Sequence, residues 1–125
     1  MILRFAGDWL PMRKSEKQTF SDMGFGIGNL ECAFADGNVT SGKAYTSVLP
    51  RSCMDYISFG GFAALSVANN HVNDADNFRE TYAELTHRFP FIQFFGTTDK
   101  PFATFEHSNI RTFTPSPPEA IWRPE

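Results

Sequence analysis

The chain has 125 residues, of which 42% are hydrophobic and 20% charged, and a formal net charge of −3. Those values suit one soluble globular domain with a single core, and they exclude the basic footprint of a nucleic-acid binder. No apolar run reaches the length of a membrane span, and the opening Met-Ile-Leu-Arg-Phe-Ala-Gly-Asp lacks the n-region and h-region of a signal peptide. The expected compartment is therefore the cytoplasm. There Cys32 and Cys53, which have no CxxC spacing, are expected to be buried free thiols, and the Asn38-Val39-Thr40 sequon carries no meaning.

Residues 2–6 read as a first strand. Gly7 then allows a sharp turn, and Asp8 lies just past the strand end, as a turn or cap residue or as a functional carboxylate. Residues 11–19 carry Arg13, Lys14, Glu16 and Lys17 and read as a solvated loop or helix. Residues 24–30, Gly-Phe-Gly-Ile-Gly-Asn-Leu, read as a second strand. Its glycines do not make a GxGxxG phosphate loop, because the spacing is wrong and no helical pattern follows. Glycines on one strand face instead let another element come close. Asn29 and Glu31 stand two apart at its end, so at strand spacing both point to one side.

Asp36-Gly37-Asn38 signals a turn. Residues 41–49 read as a loop or edge hairpin, with Lys43 and Tyr45 as solvated surface residues ahead of substrate contacts. Ser52 is placed to cap a helix running to residue 59, with Asp55 close to a capping box and Gly60-Gly61 to stop it. Residues 63–68 form an uncharged apolar run that suits a strand buried on both faces.

After that run the chain switches to Asn69, Asn70, His71, Asn73 and Asp74. Five side chains able to ligate a metal or move a proton stand where a strand would end. Ligands bind at the carboxyl ends of strands in open α/β sheets; the competing reading is an Asn-rich turn whose amides bond their own backbone. Asn77 then starts a helix with Phe78, Tyr82, Leu85 and Phe89 as one apolar stripe of core packing. Pro90 ends it, and residues 91–95 read as a fourth strand closed by Gly96. His87, late in the helix, is placed for the dipole.

Alternating strands and helices predict an α/β fold with a mostly parallel sheet flanked by helices. Parallel strands would bring Asp8, then Asn29 and Glu31, then Asn70 and His71 to one sheet edge. Two-metal hydrolytic sites are built in that way, with ions roughly 3.5–4 Å apart held by a shared carboxylate and further O or N ligands.

Phe5-Ala6-Gly7-Asp8, Gly28-Asn29-Leu30-Glu31 and Leu65-Ser66-Val67-Ala68-Asn69-Asn70-His71 with Asp74 resemble the successive motifs of the CapA capsule-synthesis family, the bacterial poly-gamma-glutamate capsule proteins related to calcineurin-like metallophosphoesterases. The resemblance spans about residues 2–96, and Thr81, Leu85 and Gly96 fit it too. It implies half of a metallophosphatase sandwich, with Asp8, Asn29, Glu31 and Asn70 around a divalent metal, Mn2+ or Mg2+. It also implies His71 as the acid that protonates a leaving group and Asp74 as the residue that orients it. The substrate would be a small molecule or a polyanion.

That family continues into a second half with a His-x-His-like pair, whereas the other histidines here are His87 and His107. Residues 109–113 could begin a next hairpin before a Pro-rich irregular tail at 114–125. The expectation is a truncated CapA-like domain over residues 1–113 with a partial, weakly active or inactive site. An exposed sheet edge could then pair two copies of the chain. The alternatives are a non-catalytic remnant or an unrelated α/β binding module.

Overall fold

The computed structural model describes residues 3–13, 25–39, 42–104 and 111–113. The centre is a four-stranded sheet in the order β1-β2-β5-β6, formed by β1 (Leu3–Trp9), β2 (Phe25–Leu30), β5 (Phe62–Ser66) and β6 (Gln93–Phe95), with every neighbouring pair parallel. The four carboxyl ends therefore share one edge. A 3-10 helix (Arg51–Gly60) precedes β5, and helix α1 (Phe78–Arg88) joins β5 to β6. This is the α/β arrangement expected from the sequence.

The main core lies on one face of the sheet. Leu30, Leu65, Val67 and Phe94 pack there with Met54, Ile57, Phe78 and Leu85, each at most 3% exposed. The predicted stripe of α1 is in place: Phe78 and Leu85 are buried, and Tyr82 and Phe89 pack against the cluster. A smaller cluster of Ile27, Ala64, Phe95 and Ala103 occupies the other face. Cys32 and Cys53 are both buried and free, and burial pushes the Cys32 thiol up to about 12.

Several local expectations change. The first strand does not stop at Ala6 but runs to Trp9, so Asp8 lies inside it. The segment after Pro50 is a 3-10 helix with no side-chain cap, so Ser52 does not cap it. Its buried residues are Cys53, Met54, Ile57 and Gly60, of which Met54, Ile57 and Gly60 stand three apart. That spacing of three matches the three residues per turn of a 3-10 helix, which stacks such side chains in line. Gly61 ends it in the left-handed conformation at φ 69°, as expected of a C-terminal glycine.

Asn77 precedes α1 but makes no side-chain cap; its Nδ2 donates to the Phe34 carbonyl, and Asn73 Oδ1 accepts from the Phe78 N–H instead. Residues 91 and 92 stay outside β6, and Phe91 is exposed. Of the two readings of the 41–49 segment the loop holds for residues 42–47, and β4 (Val48–Leu49) pairs in parallel with β3 (Ala33–Phe34) rather than in a hairpin. Near the end, β7 (Phe102–Thr104) pairs antiparallel with β8 (Arg111–Phe113). Most of the 11–19 run, Gly24, Thr40 and Ser41, His107 and the 114–125 tail lie outside the described residues. Among the described residues no helix is long and apolar enough to cross a membrane.

Candidate functional site

The strand register brings the first two predicted groups together. Phe5 pairs with Ile27, but Asp8 pairs with Asn29, so β1 carries one extra residue between those positions. Such a bulge re-aims the side chains beyond it. Without it Asp8 would stand opposite Leu30, whose side chain points into the core. With it Asp8 stands beside Asn29, and Asn29 stands beside Ser66 of β5.

Asn29 links two carboxylates. Its Nδ2 donates to Asp8 Oδ1 at 2.8 Å and to Glu31 Oε2 at 3.2 Å, one N–H for each. Its Oδ1 accepts from Asn69 Nδ2 at 3.0 Å, and Asn69 Nδ2 also reaches the Leu30 carbonyl at 2.9 Å. The two carboxyl groups are unlike. Its hydrogen bond with Glu31, then the bond from Asn29 and the charge of His71, hold Asp8 below its usual range against the effect of burial. Burial first, and then Asp8, push Glu31 up.

The turn after β5 presents the remaining groups. Asn69 Oδ1 accepts from the backbone N–H groups of His71 and Val72 at 3.0 and 3.1 Å. For Asn69, then, the reading as an amide bonding its own backbone is right, and the turn so made aims His71 at the sheet edge. His71 Nδ1 lies 2.7 Å from Asp74 Oδ2. An ionised carboxylate only accepts, so Nδ1 carries the proton. That leaves Nε2 facing Glu31 Oε1 at 3.8 Å and Asn70 Nδ2 at 3.4 Å.

The Asp74 side chain is wholly buried, whereas those of His71 and Glu31 keep 20% and 22% of their exposure. His71 thus stands on the more open side of the pair and Asp74 on the closed side. Burial would raise Asp74, but bonds from Lys43, His71 and the Ser47 N–H together hold it below its usual range. Asp8 and Asn70 are exposed at the rim.

Asp8, Asn29, Glu31, Asn70, His71 and Asp74 therefore gather at one edge through a continuous set of contacts. The sequence did not reveal Asn69 as the link between strands, nor Lys43 and Ser47 as partners of Asp74. Lys43 and Ser47 are separated from Asp74 by 31 and 27 residues, and no local pattern marks them.

The donors are oxygen-rich, which suits a hard divalent ion. Asp8 and Glu31 both accept from the Asn29 amide nitrogen, which brings two carboxyl groups to the same place at the sheet edge. Among the described residues no group of three His, Cys, Asp or Glu side chains is arranged to hold a metal ion. Asn29 turns its amide nitrogen to both carboxylates and its Oδ1 is taken by Asn69, so Asp8 and Glu31 are the charged oxygen groups that this edge offers an ion.

The family model for the bacterial capsule synthesis protein PGA_cap matches residues 5–111 of the chain. No curated protein matches it.

Proposed function

Because this chain belongs to the bacterial capsule synthesis protein family, we propose that it serves capsule biosynthesis through a metal-assisted, phosphoesterase-type site that binds one divalent ion weakly. The observation that carries this reading is the contact chain from Asp8 through Asn29 and Glu31 to His71 at the carboxyl edge of the sheet.

Asp8 and Glu31 would be the charged ligands, with the amides of Asn29 and Asn70 beside them; Mn2+ and Mg2+ match such a set. A bound ion would supply a Lewis acid that polarises a phosphoryl or acyl oxygen. The chain's own part is proton handling. Asp74 fixes the His71 ring with Nε2 toward Glu31, where a protonated Nε2 can give its proton to a leaving oxygen. The substrate class is a phosphate ester or a capsular polyanion, poly-gamma-glutamate being the polymer that the family resemblance implies.

Two carboxylates, one in β1 and one just past β2, support weak binding of a single ion, and the expected turnover of the 125-residue chain is little or none. The test is an aryl-phosphate assay with added Mn2+ on the chain, His71→Ala and Asp8→Asn. Robust turnover lost in both variants would overturn the single-ion reading and point to a completed site, for instance across two copies of the chain. A chain that neither turns over substrate nor binds Mn2+ would overturn the metal site itself and favour a non-catalytic module.

A further inference from the structure

The segment 43–47 touches both halves of the site. Ser47 Oγ donates to the Glu31 carbonyl at 2.7 Å, its N–H donates to Asp74 Oδ2 at 2.7 Å, and its carbonyl accepts the Ala33 N–H at 2.8 Å. Lys43 Nζ reaches Asp74 Oδ1 and the Asn70 carbonyl. The two oxygens of Asp74 are thus divided: Oδ1 belongs to Lys43, and Oδ2 to the Ser47 N–H and His71 Nδ1.

A carboxylate held by one oxygen can still swing about the bond to its carboxyl carbon. Held by both, it cannot. Asp74 is wholly buried, so an oxygen left without a donor would turn to find one, since an unmet buried acceptor is costly. Lys43 also ties down the carbonyl of Asn70, the residue next to His71. We propose that Lys43 is a positioning residue for His71: it fixes the Asp74 carboxylate and the Asn70 backbone so that the ring keeps a proton on Nδ1 and holds Nε2, the nitrogen that takes up and gives the reaction's proton, toward Glu31. This deepens, and rests on, the reading of His71 as the proton-handling group.

The test is long-range proton–nitrogen NMR of the His71 ring in the metal-free chain, at about pH 8, where an ordinary histidine is neutral. The wild-type ring shows a single Nδ1–H tautomer. Lys43→Met, similar in length but uncharged, loses it to a tautomer mixture, and Lys43→Arg restores it. A Lys43→Met ring that keeps the single tautomer overturns the proposal, as does a wild-type ring protonated on Nε2.

Should Lys43→Met not fold, the wild-type Lys43 ammonium decides the question. Slowly exchanging Nζ protons correlated to the Asp74 carboxyl carbon support the proposal; exchange as fast as that of solvated lysines overturns it. The measurement needs no metal, so its failure is separate from a failure to bind Mn2+, which bears on the site reading alone.

Discussion

A methyl group added at Gly28 has little room. A Cβ there would lie 2.6 Å from Phe62 Cε1, 3.1 Å from Cζ and 3.2 Å from Cδ1. Carbon atoms pack best at roughly 3.5–4.0 Å, so the ring must retreat by about 1 Å. A free ring would do so cheaply, but Phe62 is 6% exposed and confined from behind. Its other edge would lie 2.7 and 2.8 Å from a Cβ at Gly60, and Trp9 packs on it with ring centroids 4.9 Å apart. The ring is a wedge between two glycines, and retreat from one presses it on the backbone of the other. Overpacking of this kind costs about 1–3 kcal/mol. Restriction of the unfolded chain by alanine returns only about 0.4–1 kcal/mol. Gly28→Ala should therefore lose roughly 1–2 kcal/mol in urea unfolding at unchanged m-value. Adding Phe62→Leu should cost less in the Gly28→Ala background than alone, because the smaller side chain relieves the clash. Equal or greater stability of Gly28→Ala, or strict additivity of the pair, would refute the wedge.

Leu65→Ala removes a side chain with no exposure in the central strand and should cost on the order of 2–5 kcal/mol by equilibrium unfolding; a loss near zero would mean that β5 is not core. Gly96→Ala combines a backbone φ of 103° with a Cβ 2.9 Å from the Ala68 backbone nitrogen. Neither is relieved by a side-chain shift, so its thermal midpoint should fall further than that of Gly28→Ala. Asp74 is depressed in the folded chain, so its ionic contribution is present above the ordinary value of 3.8 and is lost as pH falls through the lower folded value. The stability difference between the wild type and Asp74→Asn should accordingly be flat near neutrality and shrink below about pH 4, as read from pH-resolved unfolding curves; a difference that grows on acidification would contradict the depressed carboxyl.

The strands of the central sheet were legible because each is a short apolar run with turn residues behind it. The parallel order of β2, β5 and β6 followed from the helical segments between them. The strand spacing of Asn29 and Glu31 correctly placed both on one side. What stayed hidden was non-local. Ala6-Gly7 reads equally well as the end of a strand and as a bulge within it, and only pairing with β2 decides that Asp8 stands beside Asn29.

Cys53, Met54, Ile57 and Gly60 sit at i, i+1, i+4 and i+7, which is the spacing of an α-helical face, so the sequence pattern does not mark the segment as a 3-10 helix. Lys43 looked like any solvated lysine, since its partners lie 27 and 31 residues away across the fold. Asn69 was read as a turn residue, which it is, yet the nitrogen of the same amide also ties β2 to the turn.

In the proposed site Asp8 and Glu31 hold one divalent ion beside His71. Substoichiometric Mn2+ added to the isotope-labelled chain tests it most directly, through paramagnetic broadening of nearby signals. The side-chain amides of Asn29 and Asn70 and the His71 ring should broaden first and together, with Asp8→Asn and Glu31→Gln each abolishing the effect at the same Mn2+ concentration. Broadening spread evenly over surface carboxylates, or unchanged in both variants, would contradict it.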